Sequence, residues 1–159
     1  MIVVSDTSPI TNLIEIGRLE LLRDLFGEVF IPEIVSREAT IVEAHRKEIE
    51  NNAWIKVVDL KDRRIFNSLV NKLDGGEAEA IALALELSAD VILIDEMDGR
   101  TEALGLGLTI TGLLGVLVRA KKQGLIDAIK PEIERLISDA DFWVSTLIVE
   151  EALALAGEK

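Results

Sequence analysis

The chain contains no cysteine, and that absence removes a disulfide framework, a thiolate zinc site and a cysteine nucleophile together. Aromatic residues are scarce: two tryptophans and four phenylalanines, none interleaved with basic residues, so no stacking platform for single-stranded nucleic acid is expected. The only histidine, His45, lies among Glu43, Arg46 and Lys47 and reads as a surface residue without a function. No apolar run reaches the ~18 residues needed to span a bilayer. The opening MIVVSD lacks the basic and long apolar regions of a signal peptide. A cytoplasmic protein with no membrane partner is therefore expected. With no internal repeat and no Pro/Gly/Ser-rich linker, the 159 residues read as a single domain.

What the chain has in excess is negative charge. Seventeen basic residues against twenty-nine acidic ones give −12, while 49% hydrophobic residues supply ample core and exclude global disorder. Such a charge repels polyanions at long range. A bound divalent cation can reverse the sign at one face, so a polyanionic substrate is not excluded. The acids are then either plain solubilisation or partly a concentrated set with a purpose, and position decides.

Short β-rich runs alternate with helical segments. Strands are expected at Ile2–Ser5, Val29–Ile31, Ile55–Val58, Val91–Ile94 and Leu108–Ile110. Helices are expected from Ser8 (N-cap, with Pro9 at N1) to Ile16, Leu19 to Leu25 and Pro32 to His45 or Asn51. Further helices are expected over 62–73, 77–87, 97–104 and 112–122. Two more follow near Pro131–Ile137 and Val144–Ala156, within a C-terminal stretch (131–156) suited to packing or to an interface. Strands of about four residues separated by helices read as βαβ units around a short parallel sheet, an α/β fold. Right-handed crossovers place every strand's carboxyl end on one edge, where ligands bind at the topological switch point.

Acids fall at that edge. Asp6 follows the first strand and Asp95 the fourth, with Asp98 three residues on, on the same side if a helix begins there. Glu38 comes from IPEIVSREA, and Glu77 from the start of the EAEAIALALEL helix. Taken singly, Glu77 at a helix start complements the macrodipole and Asp6 caps a helix. Taken together, at an effective dielectric constant near 20, each like-charged pair 4 Å apart costs roughly 4 kcal/mol. A hard cation removes that cost, and all-oxygen ligation suits Mg²⁺ or Mn²⁺. Thr7 and Ser8 would orient metal-bound waters.

SDTSPI with Asn12, IPEIVSREA, GGEAEAIALALEL, LIDEMDGR and GLGLTITGLLGVLVRAKKQGLI together resemble a PIN domain, closest to its VapC-like prokaryotic branch. The resemblance runs to DFWVSTLIVEEAL, nearly the whole chain. It implies a three-layer α/β/α sandwich and a metal-dependent ribonuclease using one or two Mg²⁺ or Mn²⁺ ions. Asp6 would be the principal ligand, with Asp95 and Asp98 completing one site and Glu38 and Glu77 serving the second. The family's third acid is often aspartate, so Glu77 lengthens that ligand arm; Glu79 competes for the role but is turned about 200° away. Arg100 would bind substrate phosphate, with Arg119, Lys121 and Lys122 as a lesser basic cluster. The VapC-like likeness implies an antitoxin partner, which the apolar C-terminal helix (Leu147, Ile148, Leu153, Leu155) would receive, unless that helix forms a homodimer or closes the sheet.

Two rivals remain open at this point: a noncatalytic PIN-like module binding RNA or protein, and a flap-type DNA nuclease, for which 159 residues leave no clamping region. A haloacid-type phosphatase needs an aspartate where Ser8 stands, and a receiver domain lacks its acid pair and later lysine here. Gly105-Leu106-Gly107 precedes a strand and is not a dinucleotide cradle.

Overall fold

Three-residue strands buried on both faces can be satisfied only at the centre of a covered sheet, and the computed structural model, which describes residues 1–159, places them there. The strands are β1 (Val3–Ser5), β2 (Val29–Ile31), β3 (Ile55–Val57), β4 (Val91–Leu93) and β5 (Ile110–Thr111). The helices are α1 (Thr7–Glu15), α2 (Glu20–Phe26), α3 (Glu33–Ala39), α4 (Glu43–Glu50), α5 (Arg64–Leu69) and α6 (Gly75–Glu86). They continue with α7 (Met97–Gly105), α8 (Leu113–Lys122), α9 (Lys130–Asp139) and α10 (Thr146–Leu155).

All five strands are parallel, in the order β3-β2-β1-β4-β5. The path steps outward from β1 to β2 and β3, then returns to the other side of β1 for β4 and β5. Right-handed crossovers in opposite directions put their helices on opposite faces, which gives three layers. α6 packs on β1 and β4, flanked by α5 and α7, while α2 packs on β2 and against α8. The expected α/β/α sandwich is the observed architecture. One cluster of 40 buried apolar residues joins sheet and helices. No helix is long and apolar enough to cross a membrane.

The switch point lies between β1 and β4. Ser5 pairs with Leu93, and the Asp6 N–H donates to the Leu93 carbonyl at 2.9 Å, so the chain leaves both strands side by side. α3 packs against both α1 and α6, reaching over this edge.

Several local expectations shift. The first helix starts at Thr7, with Asp6 extended in the N-cap position (φ −76°, ψ 175°), so Ser8 and Pro9 lie inside it. The long helix expected from Pro32 divides into α3 and α4. Thr40 Oγ1 donates back to the Ser36 carbonyl at 2.7 Å, competing with helix continuation, and Val42 is extended. The division turns His45 inward: it is buried, with Nε2 hydrogen-bonded to the Glu15 carboxylate, and is not the surface residue expected. The last strand begins two residues later than expected, because Leu108 is spent in the turn that closes α7. The C-terminal helix divides its apolar residues: Leu153 is buried in the core, whereas Leu147, Ile148 and Leu155 are exposed.

Two buried glutamates brace the layers. Glu79, only 3% exposed, accepts from the Ile34 N–H at 2.8 Å and pairs with Arg63 at 3.1 Å, tying α6 to the start of α3. Glu132 holds Arg18 at 2.8 Å and Arg135 at 3.3 Å, tying α9 to the α1–α2 connection. Each acid is satisfied by the protein itself. Removing one leaves buried donors unpaired, so Glu79→Ala should lower stability by about 2–3 kcal/mol. Glu79→Gln, which keeps an acceptor for Ile34, should lose roughly half of that. Urea denaturation of the two variants checks the ordering.

Candidate metal centre

At the switch point a cavity of about 150 Å³ opens between α1, α3, α6 and α7, lined by Asp6, Thr7, Ser8, Glu38, Asp74 and Glu96, with no hydrophobic residue. Asp6 is its buried member, 5% exposed; Glu38, Asp74 and Glu96 face it from the solvent side.

Three of these acids occupy helix N-cap positions: Asp6 for α1, Asp74 for α6 and Glu96 for α7. Only Asp74 makes a capping hydrogen bond, accepting from the Glu77 N–H at 2.8 Å. Asp6 and Glu96 stand where caps stand but make no capping hydrogen bond. Their carboxylates therefore face the cavity beside the positive ends of helix dipoles, which partly offset their charge. The fourth, Glu38, is steadied by Thr7 Oγ1, which donates to Oε1 at 3.0 Å. A Cβ on Gly76 would fall on that same Glu38 oxygen, so the Glu38 carboxylate takes this position only because residue 76 has no side chain.

Behind the cavity lie Glu77 and Asp95. Asp95 Oδ1 accepts from the Leu113 N–H at 2.9 Å, so the start of α8 fixes its direction. Its Oδ2, Glu77 Oε2 and Ser8 Oγ are buried without any hydrogen-bond partner in the protein. Burial of polar oxygens without partners is rare, and each signals a missing ligand or water.

The electrostatics agree. Burial, more than any other influence, pushes the Asp6 carboxyl up to about 7; the charges of Asp74, Glu38 and Asp95 add to the rise, and the Thr7 N–H opposes it. Burial likewise raises Glu77 to about 8, helped by its hydrogen bond with the Asp74 side chain and by the charges of Asp74, Asp6 and Glu96. Asp95 rises to about 6 through burial, with the Leu113 N–H and Arg100 pulling the other way. These carboxyl groups lack a positive partner equal to their burial.

The donors are all oxygen, and two buried carboxylate oxygens are unclaimed, so the residues fit a hard divalent cation. No three of the acids converge closely enough to enclose an ion as they stand. The arrangement is an open cradle.

The sequence-derived residues are distributed unevenly. Asp6, Thr7, Ser8 and Glu38 line the cavity; Glu77 and Asp95 do not line it but are close enough to its acids for their charges to act on one another. Asp98 does not join them: it is exposed in the first turn of α7 and does not line the cavity. The chain is still extended at Glu96 (ψ 134°), so the helix starts one residue later than i, i+3 spacing from Asp95 requires. Glu96 takes the place expected for Asp98. Asp74 was also missed as a site residue, although Asp-Gly-Gly-Glu before an apolar helix carries the spacing of a capping box. Arg100 turns inward: Nη1 donates to the Ile94 carbonyl at 3.0 Å, beside Asp95, and it does not line the cavity. The start of α8 touches Asp95, so its far end lies ~15 Å away along the helix axis. There Arg119 stacks over Phe26 and Lys121 pairs with Glu158.

Asp6, Glu77 and Asp95 each take up a proton at higher pH folded than unfolded. Their contribution to stability is therefore full below about pH 4 and is lost as pH rises through about 6 to 8 in metal-free protein. Asp6→Asn removes one ionisation from that set. At pH 8 without metal it should be more stable than wild type by about 1–2 kcal/mol, a rise of a few °C in Tm. At pH 4, near the unfolded value, the difference should nearly vanish. Thermal melts at the two pH values check the sign; equal or lower stability of the variant at pH 8 would contradict the crowding.

A family model described as a PIN domain matches residues 2–158, and no curated protein matches the chain significantly. PIN domains are generally nucleases and typically use divalent metals, in keeping with the all-oxygen cradle. The match covers nearly every residue of the fold just described, and the chain belongs to the PIN-domain family.

Proposed function

We propose that this PIN domain is a Mg²⁺- or Mn²⁺-dependent endoribonuclease of the VapC-like kind, the toxin of a toxin–antitoxin pair. The observation that carries the metal-dependent reading is the set of buried, unpartnered carboxylate oxygens on Glu77 and Asp95 beside an acid-lined cavity at the sheet's switch point. Asp6, Glu38, Asp74 and Glu96 would hold the cation from the cavity side, with Glu77 and Asp95 behind them. The ion supplies Lewis acidity and an activated water for phosphodiester hydrolysis. The protein's own part is to hold the acids in place. Leu113 fixes Asp95, Thr7 fixes Glu38, and Asp74 fixes the first turn of α6. Ser8 Oγ, unpartnered in the cavity wall, can accept or donate to a bound water.

The toxin assignment rests on the VapC-like sequence pattern and brings with it an antitoxin. The exposed Leu147, Ile148 and Leu155 of α10 are the surface we assign to that partner or to a second copy of the chain. A noncatalytic RNA- or protein-binding module is the second reading, and it draws on one observation: no basic side chain lines the cavity.

Cleavage of RNA by wild type should require Mg²⁺ or Mn²⁺ and stop with chelator, and Asp6→Asn should lower the rate at least ~100-fold. Saturating Mn²⁺ should stabilise wild type by about 2.7 kcal/mol at one hundred times its Kd, and Asp6→Asn far less. Stabilisation without cleavage would select the noncatalytic module. Cleavage indifferent to chelator would end the metal reading.

A further inference from the structure

Gly99 is buried at the third position of α7, and its φ lies outside the left-handed region. The helix backbone gives no reason for glycine there, since alanine is the better helix former. The reason is space. A Cβ on residue 99 would stand 2.6 Å from Glu77 Oε2 and 2.6 Å from Ile94 Cδ1, closer than real Cβ atoms approach either. Glu77 reaches this spot from the first turn of α6, which packs beside α7. Its Oε2 there is buried and has no partner. Gly105, the last residue of the same helix, faces open space.

We propose that Gly99 is a positioning residue for Glu77: the volume of its missing side chain is where the Glu77 carboxylate lies, and α7 thereby sets the direction of that carboxylate behind the cavity. The packing claim is independent of the nuclease reading; what the carboxylate serves rests on it. Asp95 shows the same device, since a Cβ on Gly112 would lie 2.8 Å from Asp95 Oδ1 and 2.7 Å from Arg100 Nη1. Glu77 is the sharper case because its neighbour offers two possible obstacles, one acid and one aliphatic, which can be relieved separately.

The test uses the full-length protein as Gly99→Ala, Glu77→Asp, Gly99→Ala/Glu77→Asp and Gly99→Ala/Ile94→Val, with Gly105→Ala as the helix control. Metal-free Tm and Mn²⁺ affinity by calorimetry are the readouts. Gly99→Ala should lower Tm by several °C and weaken Mn²⁺ binding ~10-fold or more, while Gly105→Ala leaves Mn²⁺ binding unchanged and Tm equal or higher. Shortening the arm with Glu77→Asp should relieve the carboxylate contact but not the equally close one with Ile94, so Gly99→Ala should cost clearly less Tm in the Glu77→Asp background than in wild type. The Ile94→Val background, which removes the Cδ1 contact, should recover part of the Tm loss but not the Mn²⁺ affinity. The proposal is overturned if Gly99→Ala leaves Tm unchanged, if its effect adds to that of Glu77→Asp, or if Ile94→Val restores both readouts. Absence of Mn²⁺ binding by wild type together with a persisting Tm coupling would support the Gly99–Glu77 pairing and reject the metal-dependent nuclease.

Discussion

Like charges brought out of water repel, and the carboxyl edge of this sheet gathers six acids against that repulsion: Asp6, Glu38, Asp74, Glu77, Asp95 and Glu96. Nothing in the hydrophobic core demands them there. The apolar strands would pair as well with serine or asparagine at their ends. The arrangement survives because the acids are spread over different depths and partly offset by local donors. Three face solvent from the cavity wall, Asp6 sits at its buried end, and Glu77 and Asp95 lie behind. Helix N-termini supply partial positive charge where Asp6, Asp74, Glu96 and Glu77 stand. These offsets fall short, as the upward displacement of Asp6, Glu77 and Asp95 shows. That shortfall is what a bound cation would supply under the metal-dependent function proposed above.

The fold makes this gathering possible through the reversal of strand order at β1 and β4. Two strands leave the sheet in register there, and the helices that follow them open away from one another. Close approach of the remaining helices then requires missing side chains. Gly76 admits the Glu38 carboxylate against α6, and Gly112 leaves room for Asp95 and Arg100 at the start of α8. The first turns of α1, α6, α7 and α8 thus form one assembly, and the acids are held by backbone donors and empty volumes more than by other charged side chains.

Much of this was readable from residue order. Strand–helix alternation fixed the sheet type, and acids at strand ends fixed the edge. Asp6 and Asp95 were placed at that edge by topology, Glu38 and Glu77 by their helices; Asp6 and Glu38 line the cavity, and the charges of Asp95 and Asp6 act on Asp6 and Glu77 respectively. What failed was anything depending on a single residue of helix phase. Asp98 was placed beside Asp95 on condition that the chain turns into a helix directly after β4; α7 starts at Met97, as its expected span had it, and the extended Glu96 before it leaves that condition unmet. Asp74 read as a helix stop because its capping role and its cavity role use the same carboxylate. Arg100 was assigned to substrate by its charge and its place after Asp98-Gly99; in the structure its Nη1 donates to the Ile94 carbonyl. His45 was hidden by the break at Thr40–Val42, since an uninterrupted helix from Pro32 leaves that position facing outward. Periodicity reports which side of an element is apolar; it does not report where the element begins to within one residue.

Hydrogen-bond accounting separates structural acids from functional ones more sharply than burial does. Glu77, Glu79 and Glu132 are all nearly inaccessible, and two of them share a helix two positions apart. Glu79 meets an arginine and a backbone N–H, and Glu132 meets two arginines. Glu77 meets no cation, keeps one oxygen unpartnered, and has as its polar neighbour another acid. A chain that had merely tolerated buried acids would leave such deficits scattered. Here the two unpartnered carboxylate oxygens belong to Glu77 and Asp95, on either side of the switch point, while the acids elsewhere in the interior are paired. The deficit is localised, and its location is the one place in a doubly wound sheet where a ligand is expected.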